Sequence, residues 1–173
     1  VSSHTDALDR RYRHHYRGAR SDLRGQGFLG FPRHYVVSEA NRAVREIQFD
    51  QTRLDGDAGY AFALLPMREV DYVPLEGGRF LAEETVNQHQ VSWLSSTHYT
   101  VHLGSRVTRS YDLPRRPPGG CSGDYCQDID LEGQDALREL HLSLQYDPLG
   151  VLRRRTLSAG QLVLSQVEIE PID

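Results

Sequence analysis

Alternating apolar and polar positions dominate the chain and predict a protein built from β-strands. The clearest run is 140–146, which places three leucines and Tyr146 on one face of a half-buried strand. Helical patterns are short, because 38–43 and 133–139 each run directly into a strand pattern. The sequence therefore predicts an all-β fold of mostly antiparallel strands joined by short hairpins. The other predicted strands lie at 35–37, 44–49, 67–73, 79–86, 89–94, 98–103, 106–111, 151–157 and 162–169.

Turn-forming residues separate these strands at short intervals. Residues 147–150 (Asp-Pro-Leu-Gly) place proline where a turn uses its fixed φ and glycine where the chain becomes left-handed. The glycines within 76–78 and 103–105 predict further turns between neighbouring strands. The segment 113–132, rich in proline, glycine and aspartate, is longer than most structureless connections. We expect this long loop to cross the surface of the sheet.

The length of 173 residues is enough for one domain with a substantial core, so a single β-rich unit over 1–173 is expected. The first residue is not methionine and the last strand pattern stops just before 171–173, which indicates a fragment of a larger protein. No stretch of 18 apolar residues is present, so no membrane span is predicted. A polar run at 1–6 also differs from a signal peptide.

All 20 Lys/Arg positions are arginine, against 24 acidic residues, for a formal charge of −4. Most of the arginines are dispersed along the chain. Nucleic-acid binding calls for a basic patch on a basic domain, so no nucleic-acid partner is expected.

The two cysteines, Cys121 and Cys126, lie five residues apart in the long loop. A zinc site would need CxxC-type pairs or histidines at ligand spacing, and this stretch has neither. A small disulfide loop is plausible in an exported protein, and two free thiols are the alternative. The glycines around the cysteines permit the Cα separation that a disulfide needs. No cofactor is predicted.

Other candidate groups favour structural interpretations. His98 and His102 share a strand face about 13 Å apart, too far to chelate one ion, and are interpreted as part of a polar face. The Asp-x-Asp-x-Gly pattern at 55–59 resembles the start of a calcium loop, but Pro66 occupies the position of the essential glutamate. Trp93, the only tryptophan, is assigned to core packing in preference to stacking on a sugar.

Catalytic patterns are also weak. The chain has no G-x-S-x-G nucleophile elbow, and its serines show no recognisable partner arrangement, so no enzyme activity is expected. A Ser/His/Asp set assembled in space stays open. The acids of the long loop are interpreted as a solvated surface; they are Asp124, Asp128, Asp130 and Glu132.

Two blocks of residues resemble Rhs/YD-repeat proteins. Residues 25–31 (Gly-Gln-Gly-Phe-Leu-Gly-Phe), preceded by a tyrosine-containing stretch at 12–17, are similar to a recurrent glycine–phenylalanine block of that family. Residues 146–152 are similar to its tyrosine–aspartate repeat, in which a strand ends in Tyr-Asp and a glycine three residues on turns the chain. Tyr111-Asp112 and Phe49-Asp50 look like degenerate copies at irregular spacing. The motif residues are Gly27, Phe28, Gly30, Phe31, Tyr146, Asp147 and Gly150.

The tyrosine–aspartate motif has a physical basis. Tyrosine contributes a large apolar ring to a sheet face and a hydroxyl that can reach a partner. Aspartate can accept hydrogen bonds from backbone amides two residues on, and glycine supplies positive φ. Any β-hairpin can carry one such motif, so the resemblance depends on both blocks together.

The resemblance implies a β-ribbon that spirals into a hollow shell, as in the B/C components of bacterial Tc toxins, polymorphic Rhs toxins and, distantly, teneurins. In such a shell the segment is non-catalytic. Its partners are the remainder of the shell and the enclosed toxic effector, and the parent protein is secreted or displayed on the cell surface. Such shells often end in a self-cleaving Asp-Pro-x-Gly region, whose letters 147–150 match, although a turn is the favoured interpretation there.

Two alternatives belong to other classes. One is an independent β-sandwich or barrel that binds a carbohydrate or a cell-surface partner, and the other is a small hydrolase on a β scaffold. Sheet edges distinguish the first alternative from the shell segment. A shell segment leaves long pairing edges and should self-associate through them, whereas an independent domain protects its edges with charges, proline or closure.

Overall fold

The structure, a computed structural model, describes residues 1–7, 10–23 and 27–170. The predicted all-β fold is confirmed. Helix in the described residues is confined to two single 3-10 turns, Gly56–Ala58 and Glu76–Gly78. The strands are β1 (Ser2–Thr5), β2 (Arg11–Arg17), β3 (Arg20–Asp22), β4 (Gly27–Gly30), β5 (Arg33–Ser38), β6 (Val44–Phe49), β7 (Pro66–Pro74), β8 (Phe80–Trp93), β9 (Tyr99–Leu113), β10 (Gly120–Ser122), β11 (Tyr125–Gln127), β12 (Arg138–Tyr146), β13 (Leu152–Ala159) and β14 (Leu162–Glu168).

Ten of these strands form one open sheet in the order β1-β2-β5-β6-β7-β8-β9-β12-β13-β14. Every neighbouring pair is antiparallel, so the sheet is an up-and-down meander. The remaining four strands make two small hairpins. The β3–β4 hairpin is inserted between β2 and β5, and the β10–β11 hairpin between β9 and β12. The outer strands of the sheet are β1 and β14.

The turn predicted at 103–105 is wrong, because β8 and β9 are two long strands that pair from one end to the other. Gly104 lies inside β9, where the register shifts opposite Gln88 and His89. A Cβ atom on Gly104 would lie 3.3 Å from Oε1 of Gln90 and 3.4 Å from the carbonyl oxygen of Gln88. Glycine therefore marks a β-bulge where the neighbouring backbone approaches closely. The turns at 76–78 and 147–150 do join consecutive strands.

One face of the sheet, called here the covered face, carries the apolar core. Val44, Tyr72, Ala82 and Tyr111 lie side by side on neighbouring strands of this face and are buried. The segment 113–132 crosses this face and contributes Ile129 and Leu131 to the core. It is more ordered than the loop that its composition predicts, because β10 and β11 form a hairpin within it.

The opposite face is covered only in part, by the connection 50–65 between β6 and β7. The ring of Phe62 lies 6.4 Å from that of His89, and Arg53 stacks over Phe62 at 4.3 Å. The hydroxyl of Tyr99 donates a hydrogen bond to the carbonyl oxygen of Ala58 at 3.4 Å. This connection therefore holds the far ends of β8 and β9.

Candidate functional site

The glycine–phenylalanine block forms a small surface hairpin. Its Gly25 and Gln26 lie outside the described residues, while Gly27, Phe28 and Gly30 belong to β4. Gly27 and Gly30 have φ values of 73° and 92°, a region that favours glycine. Phe28 is 62% exposed, and its ring meets that of Phe31 edge to face at 5.6 Å. The block presents aromatic surface outward.

The tyrosine–aspartate hairpin is held by the carboxylate of Asp147. This group accepts hydrogen bonds from the backbone amides of Leu149 and Val151, each at 2.9 Å, and from the guanidinium of Arg153 at 2.6 and 2.9 Å. The amide of Val151, then the Arg153 side chain, hold the pKa of Asp147 below its usual value. Asp147 is therefore engaged in the turn, as the hairpin interpretation of 147–150 expects.

Tyr146 and Gly150 hold this hairpin against β9 near its first residues. The ring of Tyr146 stacks on His102 at 4.5 Å, and its hydroxyl donates to the carbonyl oxygen of Leu103 at 3.0 Å. Gly150 has φ 78°, and a Cβ atom there would lie 2.7 Å from Nε2 of His102. The two motif residues therefore fix the hairpin against a neighbouring strand.

Cys121 and Cys126 are joined by a disulfide across the β10–β11 hairpin, with Cα atoms 4.1 Å apart. His15 of β2 lies beneath this hairpin and is only 4% exposed. Neither ring nitrogen of His15 has a hydrogen-bond partner. The fold thus brings a histidine to the cysteine pair from a distant part of the chain.

A polar network, which the sequence did not reveal, occupies the centre of the covered face. Its most buried member is Glu46, which is 0% exposed. Its carboxylate accepts hydrogen bonds from the amide of Ile129 at 2.6 Å and from the side chain of Gln48 at 2.5 Å. Burial raises the pKa of Glu46, and these two donors offset the rise only in part. Glu46 anchors the crossing segment to the sheet.

Glu84 is the second acid of the network. It accepts hydrogen bonds from Nε of Arg68 at 2.6 Å, Nη1 of Arg109 at 3.3 Å and the hydroxyl of Tyr111 at 3.2 Å. Burial alone would raise the pKa of Glu84, but the two arginines and the tyrosine bring it below its ordinary value. Arg109 also pairs with Glu139, which extends the network to β12. Glu84 is therefore ionised, and both of its carboxylate oxygens accept hydrogen bonds from neighbouring side chains.

Asp128 links the crossing segment to β5. Both Nε and Nη2 of Arg33 donate to its Oδ2 at 3.1 Å, and the hydroxyl of Tyr35 donates to Oδ1 at 2.9 Å. Burial opposes ionisation of Asp128, but Arg33 and Tyr35 lower its pKa overall. The four acids of the loop are exposed, Asp128 included, as their interpretation as a solvated surface expects. Asp128 differs in also being held by residues 93 and 95 positions away.

A cleft of about 670 Å³ lies between this network and residues 128–136. Two arginines and six carboxylates line it, so the lining is acidic overall. Arg68 and Arg109 pair with Glu84 and Glu139 and help to fix the crossing segment to the sheet. The sequence carries one signal for this network, in the alternation of β6. Val44, Glu46 and Gln48 share one face of that strand, but Ile47 and Phe49 on the other face are apolar, so the pattern predicts the wrong face to be buried.

The candidates His98 and Trp93 lie beside the turn between β8 and β9. His98 precedes β9 and contacts Ser95 and Thr97. The core-packing interpretation of Trp93 is wrong, because this side chain is 40% exposed and rests against Tyr99, with ring centres 5.3 Å apart. Both residues lie at the far end of the β8–β9 pair.

Histidines line the opposite face of the first strands. His4 and His14 share a hydrogen bond of 2.7 Å between Nδ1 and Nε2, and His14 and His34 share one of 2.9 Å. Tyr16 stacks on His34 at 4.6 Å. Burial lowers the pKa of His14 and His34, and neighbouring histidines lower it further. We call His4, His14 and His34 the histidine ladder.

No protein-family description, curated protein or solved structure matches the chain. Within the described residues, no helix has the length and apolar character needed to cross a lipid bilayer.

Proposed function

We propose that this chain is a non-catalytic wall segment of an Rhs/YD-repeat β-shell that encloses a toxin payload. The observation that carries the proposal is the open ten-stranded antiparallel meander. A shell made from one continuous ribbon requires strands that pair in chain order and a sheet that can be continued at its edges. The sequence resemblance at 25–31 and 146–152 points to the same architecture.

The outer strand β14 supports continuation of the sheet. Every residue of β14 is exposed, and its apolar side chains Leu162, Val163, Leu164 and Val167 are 47–64% exposed. Independent domains protect such edges with charges, proline or closure. The only charged residue of β14 is Glu168, at its end, where it pairs with Arg154. This strand therefore suits pairing with a further strand.

The polar network supports a structural role for the covered face. Its carboxylates already hold arginines, a tyrosine hydroxyl or backbone amides. Breaking a buried ion pair leaves an uncompensated charge, so such groups favour one arrangement of the crossing segment over others. A wall that excludes solvent and proteases needs this fixed covering.

Sedimentation velocity over a concentration series tests the edge. We expect the wild-type chain to associate, and Val163→Lys to weaken association at least about tenfold, because charged side chains on an edge strand oppose pairing. Leu137→Lys is the matched control, since Leu137 is 70% exposed but lies outside the sheet edge. A wild-type chain that stays monomeric, or equal weakening by both variants, would contradict the proposal.

The coding sequence on either side of this segment tests the family itself. We expect further glycine–phenylalanine blocks and tyrosine–aspartate hairpins there. Flanking sequence without either block would remove the shell interpretation, whatever the sedimentation result.

A second candidate function, carbohydrate binding, is favoured by the exposed pair Trp93 and Tyr99. Aromatic faces of this kind can pack against the apolar side of a sugar ring. A glycan-array hit that is lost in Trp93→Ala and kept in Tyr125→Ala would favour this function over the shell. Tyr125 is the control because it is 64% exposed and belongs to the separate β10–β11 hairpin.

A further inference from the structure

His15, Cys121 and Cys126 form a group of potential metal ligands. One ligand atom from each residue lies within 4.8 Å of the other two. The histidine belongs to β2, whereas the cysteines face each other across the β10–β11 hairpin. Sequence spacing gives no sign of this group, because more than a hundred residues separate the histidine from the cysteines.

The burial of His15 is the second observation. This side chain is 4% exposed, and both ring nitrogens lack a hydrogen-bond partner. Buried polar atoms in folded proteins are nearly always paired, so an unpaired ring next to two sulfur atoms requires an explanation. Cys126 is also buried, which places the group in a largely enclosed site.

The donor atoms of the group suit zinc. Zinc in proteins is bound by cysteine sulfur and by the nitrogen of a neutral imidazole. A tetrahedral zinc site with zinc–sulfur distances of about 2.3 Å separates two sulfur ligands by about 3.8 Å. The disulfide must therefore open before both sulfur atoms can bind one ion, and the imidazole and sulfur atoms, which lie within 4.8 Å of one another, must then draw together around it.

We propose that His15, Cys121 and Cys126 form a zinc site when the disulfide is reduced. A dithiol reductant breaks the S–S bond, supplies two electrons and two protons, and becomes a disulfide itself. Each cysteine thiol then releases its proton as it binds, so that two thiolates and the neutral imidazole hold a Zn²⁺ ion whose charge does not change. Water or another group completes the coordination.

This site would alternate with the disulfide according to the redox environment. Thiols persist in a reducing compartment and disulfides in an oxidising one. Either state ties the β10–β11 hairpin together, and the zinc-bound state also ties it to β2.

Cobalt titration of the full chain tests the site. The probe is Co²⁺, added with and without a phosphine reductant. We expect the reduced chain to bind a single Co²⁺ ion with a thiolate-to-cobalt charge-transfer band and tetrahedral visible bands, which added Zn²⁺ abolishes. The oxidised chain should give no charge-transfer band. A reduced wild-type chain without this band would overturn the proposal, and this measurement requires no variant.

Two variants assign the histidine. His15→Gln should weaken Co²⁺ binding at least about tenfold, since loss even of groups that only support metal ligands has effects of that size. His14→Gln is the matched control, because His14 neighbours His15 on β2 but belongs to the histidine ladder on the other face of the sheet. Unchanged binding and spectrum in His15→Gln would overturn the role of the histidine. Circular dichroism verifies that each variant keeps its strands.

Discussion

At the scale of single residues, the most informative feature is an acid in the interior of an otherwise ordinary sheet. Glu46 is as buried as Val70, its neighbour on the adjoining strand. A buried carboxylate is costly unless its oxygens are hydrogen-bonded. Here the backbone amide of Ile129 supplies one bond, so the acid serves as an attachment point for the crossing segment.

Two substitutions at Glu46 distinguish the contribution of its charge to stability from the contribution of its hydrogen bonds. We expect Glu46→Ala to lower the free energy of unfolding by about 2–3 kcal/mol, because the amide of Ile129 loses its partner. Glu46→Gln keeps an acceptor and should match or exceed wild-type stability at pH 7. The sign follows from the raised pKa of Glu46 in the folded chain. Because the folded chain keeps this proton up to a higher pH than the unfolded chain does, the free energy of unfolding falls as pH rises above about 4.3, the pKa of glutamate in an unfolded chain.

Urea unfolding of both variants measures the difference. Equal losses in Glu46→Gln and Glu46→Ala would show that the negative charge itself is required, in which case Arg33, 3.9 Å away, is the partner to examine.

The histidine ladder makes stability depend on pH. The pKa values of His14 and His34 are lowered in the folded chain, so the unfolded chain binds more protons as pH falls toward and below 6.5, the ordinary pKa of histidine. Stability should be highest above this value and decline as pH falls from 7.5 to 5.5. Thermal melting across this range measures the decline, and the variant His34→Gln should reduce its slope. An identical slope in His34→Gln would remove the ladder as the cause.

At the scale of elements, turn residues have meanings that depend on what surrounds them. Gly104 and Gly150 both sit between strand patterns, yet one marks a bulge within β9 and the other ends a hairpin. The difference lies in the partner strand. Gln88 and Gln90 approach the backbone at Gly104, a contact that no local pattern records.

Gly150 and Gly160 offer a matched comparison of two hairpin turns. Both have positive φ, but a Cβ atom on Gly150 would collide with His102, whereas a Cβ atom on Gly160 would meet nothing within 4 Å. We expect Gly160→Ala to cost about 1–2 kcal/mol from backbone strain alone. Gly150→Ala should cost about 2–4 kcal/mol, because overpacking is added to the strain. Chemical denaturation measures both, and equal costs would mean that His102 moves aside freely.

At the scale of the whole molecule, the fold class and most of the central strands could be predicted from alternation. The seven-residue run 140–146 at the end of β12 illustrates why, since its leucines repeat with the period of a strand. The short strands β3, β10 and β11 could not be predicted, because three residues carry no usable period. The ion pairs of Asp128 and the approach of His15 to the cysteines depend on strand order, which a local pattern does not contain.

The ten-stranded sheet also has a consequence for geometry. Neighbouring strands in a sheet are rotated by about 20–25°, always in the same sense, so nine neighbouring pairs accumulate roughly 200°. The edges at β1 and β14 therefore face widely different directions. A full revolution takes about sixteen strands at this rate. Copies joined edge to edge would wind as a screw of fixed hand and could not flatten into the stacked layers of a cross-β fibril, which need untwisted sheets.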